Sequence, residues 1–275
     1  MTTMALPSQT RQRATPTLLS QIRAEWTKIS SARALYVQVG LAIILGIGLS
    51  ALICLAVASS WDKASAADRA DFHPVIIGLA GTGFADIVLI VTGVTLVSSE
   101  YTSGMVRLTM TVTPSRLRVF FAKIIVVSLV CWAVSIVFVL GAFFAGQAVL
   151  SAHSGVPTAS IGDSDAQRGI IATWLTAPVF PLIGAALGAI LRSTASAITA
   201  VLALVFVPGI FGSLLPDSWQ KHALAYLPGN AGDALQRADH NYLTYISPGV
   251  AVITLLVWLG LFFIVASVLL QRRDV

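Results

Sequence analysis

Six apolar stretches, each long enough to cross a bilayer and set apart by short polar segments, govern what this chain can become. They run from Ala34 to Ser59, Val75 to Ser98, Ile124 to Leu150, Ile170 to Leu191, Ala195 to Leu215 and Pro248 to Leu270. About 20 residues at a rise of about 1.5 Å span a hydrocarbon layer of about 30 Å. In lipid, backbone polar groups must bond within their own segment, so each stretch is expected to be a helix. The expected fold is therefore all-α, a polytopic membrane protein with six transmembrane helices. Composition agrees: 56% of the 275 residues are hydrophobic and 11% charged, where a soluble domain carries about 25% charged residues. Disorder, collagen-like repeats and a disulfide scaffold are excluded on the same grounds. Cys54 and Cys131 lie inside apolar stretches and read as small hydrophobes. A cleaved leader accounts poorly for the first stretch, which follows a 33-residue polar lead and is about twice as long as a signal core.

Charge sets the orientation. Twelve of the seventeen lysines and arginines fall on one side, in Arg11 to Arg33, Arg107 to Lys123, Arg192 and Arg272-Arg273. Five fall on the other: Lys63, Arg69, Arg168, Lys221 and Arg237. The positive-inside rule then puts both termini in the cytoplasm of a multi-pass plasma-membrane protein. Topology already explains the net charge of +5, and no nucleic-acid partner is needed. The chain divides into a cytoplasmic lead, residues 1–33, and a membrane domain, residues 34–275.

Three segments are not spans. In the lead, Thr15-Pro16 reads as a helix start. Leu19, Ile22, Trp26 and Ile29 then recur at helical spacing, with Gln21, Arg23, Glu25 and Lys28 on the other faces. This predicts an amphipathic interfacial helix with Trp26 near headgroup level; packing of the same stripe on protein is the alternative. The inner segment Ser99 to Lys123 carries four cations and one acid, yet Met105, Val106, Leu108, Met110 and Val112 are apolar. Such residues suit a partner surface better than water. Thr113-Pro114 reads as the start of the third helix. The outer segment Pro216 to Ser247 is half apolar and predicts short helices dipping into the outer leaflet, broken at Pro228-Gly229; a small extracellular cap is the other option.

Catalytic machinery is not evident. His73, His153, His222 and His240 sit in outer segments at no metal-ligand spacing. None of Lys28, Lys63, Lys123 and Lys221 lies in a phosphate-loop motif, so ATP hydrolysis and bound cofactors are not expected of this chain. Asp86 is the one ionisable residue deep in an apolar stretch. At mid-membrane it costs about 2.5–3.5 kcal/mol and must face protein, water or a partner. It either lines a route for substrate or protons, or sits nearer the outer surface and bonds a neighbouring helix. Gly184 and Gly188 form a G-x-x-x-G close behind Pro178 and Pro181, which predicts close helix packing beside a kink. Pro208-Gly209 weakens the fifth span near its outer end. A nearly uncharged interior suits apolar or amphipathic cargo, and no residue reads as a substrate ligand.

Four segments carry a family resemblance: Glu25-Trp26-Thr27-Lys28, Glu100-Tyr101-x-x-Gly104-x-x-Arg107, Thr113-Pro114-x-Arg116 through Ala122-Lys123, and Arg272-Arg273-Asp274-Val275. In this order and on the inner side, they resemble the permease subunits of ABC transporters of the type-2 exporter family. The resemblance implies a surface connecting helix at about Thr17 to Ser31, containing Ile22, Glu25, Trp26, Lys28 and Ile29. It implies a coupling helix at about Gly104 to Met110, where Gly104, Met105, Arg107 and Leu108, with Glu100 and Arg116 beside them, would pass motion from the partner. Glu100 would pair with a nearby arginine and hold that helix at a fixed angle. The family also implies re-entrant helices before the last span, a second permease copy, identical or related, and a separate ATPase subunit carrying ATP and Mg. An ATP-independent transporter would be expected to show an inverted repeat and several intramembrane charges. A membrane scaffold or immunity protein is the remaining alternative.

Overall fold

Hydropathy makes a helix of every apolar stretch, and proline, glycine and close packing decide where those helices break. The computed structural model describes residues 17–102, 104, 115–237 and 242–272, and among them it contains twelve α-helices and no strand. Six helical segments are long and apolar enough to cross a membrane: Arg33–Lys63, Pro74–Tyr101, Arg116–Ser151, Ser164–Leu191, Thr194–Leu214 and Pro248–Arg272.

Helix α1 (Leu18–Ser30) begins later than the Thr15-Pro16 signal, which lies outside the described residues. Thr17 is its N-cap, and the Thr17 hydroxyl accepts from the Ser20 N–H at 3.3 Å. Helix α2 (Arg33–Ser60) is the first span. After a short outer helix, α3 (Ala66–Ala70), the second span comes in two pieces, α4 (Pro74–Leu79) and α5 (Thr82–Thr102). The break has a packing cause. Gly81 N–H donates to Ser50 Oγ at 3.0 Å, and a Cβ on Gly81 would lie 2.2 Å from the Ser50 backbone nitrogen.

Helix α6 (Arg116–Ser151) has 36 residues, about 54 Å at about 1.5 Å each. It exceeds the hydrocarbon layer, and its first two turns, Arg116 to Lys123, precede the apolar stretch that begins at Ile124. Thr113 and Pro114 lie outside the described residues. The fourth span divides into α7 (Ser164–Thr176) and α8 (Val179–Leu191) at Pro178, which has no N–H to give and crowds the preceding turn. Helix α9 (Thr194–Phe211) keeps Pro208 inside its last turn, and α12 (Pro248–Arg272) is the sixth span.

Between them, α10 (Asp217–His222) and α11 (Pro228–Gln236) form the outer segment. Pro228 opens α11 as its first residue, so the proline starts a helix where a break was expected. Arg168 donates to the carbonyls of Ala234 and Leu235 at the end of α11, and Trp258 Nε1 donates to Tyr226 O at 2.9 Å. The outer helices are thereby tied to α7 and α12.

Helix α2 packs along α6 and α5, and α5 packs along α8, with Phe138, Phe143, Leu89 and Ile183 fully buried between them. Glycines set the α5–α8 separation. A Cβ on Gly93 would lie 2.3 Å from Pro181 O, one on Gly184 2.8 Å from Val94 Cγ2, and one on Gly188 3.3 Å from Val94 O. Overpacking costs about 1–3 kcal/mol. Gly93→Ala should therefore lie at the top of that range because backbone must move, Gly184→Ala lower, and Gly188→Ala near zero. Thermal unfolding of the three variants in detergent checks the order, and equal midpoints would contradict this contact. On the outside, α2, α9 and α12 present apolar faces, including Ile44, Ile210, Leu256 and Ile264.

Candidate functional site

The end of the bundle where α1, α5 and α6 meet gathers charges that the sequence scatters. On α1, residues spaced by four, Gln21, Glu25 and Ile29, form the buried face and pack against α6. This corrects the expected polarity of the helix. The Glu25 side chain is 2% exposed, whereas Leu19 and Trp26 are 59% and 51% exposed. The apolar stripe is divided: Ile22 and Ile29 pack on the protein core, and Leu19 and Trp26 face outward.

Glu25 is buried because two lysines answer it. Lys123, two turns into α6, places Nζ 2.5 Å from Glu25 Oε2 and 2.8 Å from Glu100 Oε1. Lys28 places Nζ 3.0 Å from Glu25 Oε1 and 2.6 Å from Glu100 Oε1. Two cations and two anions thus close a cycle that joins α1, α5 and α6. Its net charge is zero, the condition under which ions are tolerated away from water. The Lys28 side chain is 36% exposed and the other three are nearly enclosed. Burial alone would lower the Lys28 pKa, but its hydrogen bonds to Glu100 and Glu25 and their charges outweigh burial and hold it above the usual lysine value. An arginine was expected beside Glu100; two lysines reach it.

The last turn of α5 grips other helices as well. Ser98 Oγ and Thr194 Oγ1, at the start of α9, are 2.8 Å apart. Arg192, the left-handed cap of α8 with φ 53°, sits 5.6 Å over the Tyr101 ring. Arg116, the first residue of α6, donates to Leu270 O near the end of α12 at 3.0 Å. Beyond the helix, Gly104 N–H donates to Tyr101 O at 3.4 Å, and its φ of 72° is the left-handed conformation glycine tolerates best.

The structure therefore brings together Glu25, Lys28 and Glu100, sets Arg116 nearby at the base of α6, and leaves Trp26 on the outer face of α1. Met105, Arg107 and Leu108 lie outside the described residues. Gly184 and Gly188 belong to the α5–α8 contact, and Asp86 lines a separate outer cavity. Sequence reasoning placed Lys123 at the end of a family motif but gave it no site role. The available signal was a lysine in helical register with Phe120 and Val127, a face on which a cation calls for an anionic partner. The quartet holds no nucleophile, and among the described residues no group of three His, Cys, Asp or Glu side chains could hold a metal ion. What the arrangement can do is fix the mutual angle of three helices.

A family model described as ABC-2 family transporter protein matches residues 21–212, from the second turn of α1 to the end of α9. A comparison with curated proteins finds no match.

Proposed function

The chain belongs to the ABC-2 family of transporter proteins, and on that premise we propose that it forms the translocation path of an ATP-driven exporter. ATP and Mg are handled by a separate ATPase subunit beneath it. The observation that carries this reading is the engagement of the last turn of α5. Immediately before the inner segment 103–114, that turn is bonded to α1 and α6 through the ion quartet, to α9 through Ser98 and to the end of α8 through Tyr101. A displacement applied to the inner segment cannot be absorbed locally, because a close-packed interior transmits strain. It moves four neighbouring helices instead.

In the proposed cycle, ATP binding closes the ATPase pair. The motion enters through the segment containing Met105, Arg107 and Leu108, and the spans alternately open inward and outward. Helix α1 lies along the cytoplasmic membrane surface, with Leu19 and Trp26 toward lipid and both termini in the cytoplasm. The apolar faces of α2, α9 and α12 meet lipid and a second permease copy, identical or related. The outer helices α10 and α11 dip into the outer leaflet.

Purification of the chain from its native membranes is expected to carry an ABC ATPase with it. Vesicles containing both subunits should hydrolyse ATP and move substrate, and vesicles containing this chain alone should do neither. Sustained pumping by the chain alone would overturn the proposal.

A further inference from the structure

The outer end of α5 holds a buried carboxyl oxygen with no partner among the described residues. Asp86 is the fifth residue of that helix, about 21 Å from Glu100 at about 1.5 Å per residue, and it lines a cavity of about 560 Å³ walled by α4, α5, α7, α8, α9 and α11. Asp86 Oδ1 is buried with no hydrogen-bond partner among the described residues. Several donors close at hand are already committed. The Thr82, Thr173 and Thr176 hydroxyls donate to Leu79 O, Gly169 O and Ala172 O, at 2.7, 2.7 and 2.8 Å. The Asn230 amide donates to Leu224 O at 2.7 Å. Arg237 lies 5.3 Å over the Tyr242 ring and acts electrostatically on Asp233, one turn before it. With Asp233 facing Arg237, Asp86 Oδ1 is left as a cavity acceptor with no donor among the described residues.

Apart from Gln236, the remaining wall is apolar. Phe84, Phe180 and Phe206 line it together with Ile87 and Leu255, and aromatic faces attract cations as well as hydrocarbon. The volume lies in the range of small-molecule sites, about 300–1,000 Å³. An acceptor without a donor, a carboxyl that can ionise against a cation and aromatic walls specify their own complement.

We propose that this cavity binds a lipophilic organic monocation whose charged nitrogen or phosphorus centre sits against Asp86 and whose hydrocarbon body fills the space between α5, α8 and α9. The inference names a substrate class for the permease proposed above and rests on that reading for its meaning in transport. Binding itself can be measured without the ATPase.

The probe is radiolabelled tetraphenylphosphonium, applied to the full chain in lipid nanodiscs, with empty discs giving the lipid background. Saturable binding is expected, and Asp86→Asn should weaken it about 10- to 100-fold, the loss of one charged partner. Tetraphenylborate, of the same shape and opposite charge, should not compete. On the unmodified chain, a hydrophobic carbodiimide should label Asp86, and the phosphonium should protect it, a readout independent of how the variant folds. Discs containing an amine-headgroup lipid separate two sources of the same chemistry: displacement of the probe marks a lipid amine as occupant, and retention marks a soluble amphiphile. Equal binding by Asp86→Asn, competition by the borate, or labelling of Asp86 without protection would each overturn the site. Unchanged binding in the variant beside normal ATP-driven pumping removes the cation site and leaves the permease reading. Asp86-dependent binding without pumping does the reverse.

Discussion

Lys123→Met is expected to destabilise the bundle by about 3–5 kcal/mol, the usual cost of removing one partner from a buried ion pair. Methionine keeps the length and apolar stem of lysine, so packing changes little and the loss is electrostatic. Two nearly enclosed carboxylates, Glu25 and Glu100, would then lose the ammonium that both of them share with Lys28. Lys28→Met should cost far less, about 0–1 kcal/mol, because that ammonium is over a third exposed and water already screens it. The Lys28 contribution also has a direction in pH. A lysine whose pKa is raised in the folded state contributes fully below its ordinary value of 10.5 and loses that contribution as pH climbs through the raised value. Across neutral pH the ranking of the two lysines should therefore hold. Replacing Lys123, Glu25 and Glu100 together by Met, Gln and Gln removes every enclosed charge, leaves only the Lys28 ammonium, which reaches water, and should recover most of the stability. Unfolding of the three proteins in denaturing detergent measures the ranking. A Lys123→Met protein as stable as the unmodified chain would mean that the quartet carries no such energy.

Spans were legible because a bilayer asks only for length and hydropathy, and both are local in sequence. The break at Pro178 was legible for the same reason, since proline acts on its own helix. The break before α5 was not: its cause is Ser50, in another helix, pressed against Gly81. Pro228 was recognised as punctuation, but its effect depends on which side of it the helix grows. The quartet was the least legible feature. A charge on an amphipathic helix is assigned to water unless a partner is visible, and Lys123 lies 98 residues from Glu25 in sequence. Resemblance pointed to Glu25, Lys28, Glu100 and Lys123 as parts of three separate motifs; only the folded chain makes them one object. Asp86 shows the reverse. Its anomaly was plain from hydropathy, and the structure adds the cavity and the committed donors around it.

The neutral triple variant carries the second large effect. Its fold and its association with the ATPase should survive, while substrate moved per ATP falls about tenfold, within the range of coupling energies carried by packed networks. An ion pair with donors at 2.5 to 2.8 Å fixes an angle, whereas methionine between two glutamine amides allows several arrangements of similar energy. Helix α5 could then follow the inner segment without taking α1 and α6 with it. Stability and coupling separate in this protein, which makes the test specific: a purely structural quartet predicts that restored melting brings restored transport. Replacing Met105 and Arg107, on the segment that would receive the ATPase stroke, should give the same phenotype of hydrolysis without export. Combining both sets should add little, because lesions on one route are not additive. Full transport per ATP in the neutral triple variant would show that α1 and α6 receive the motion by another path.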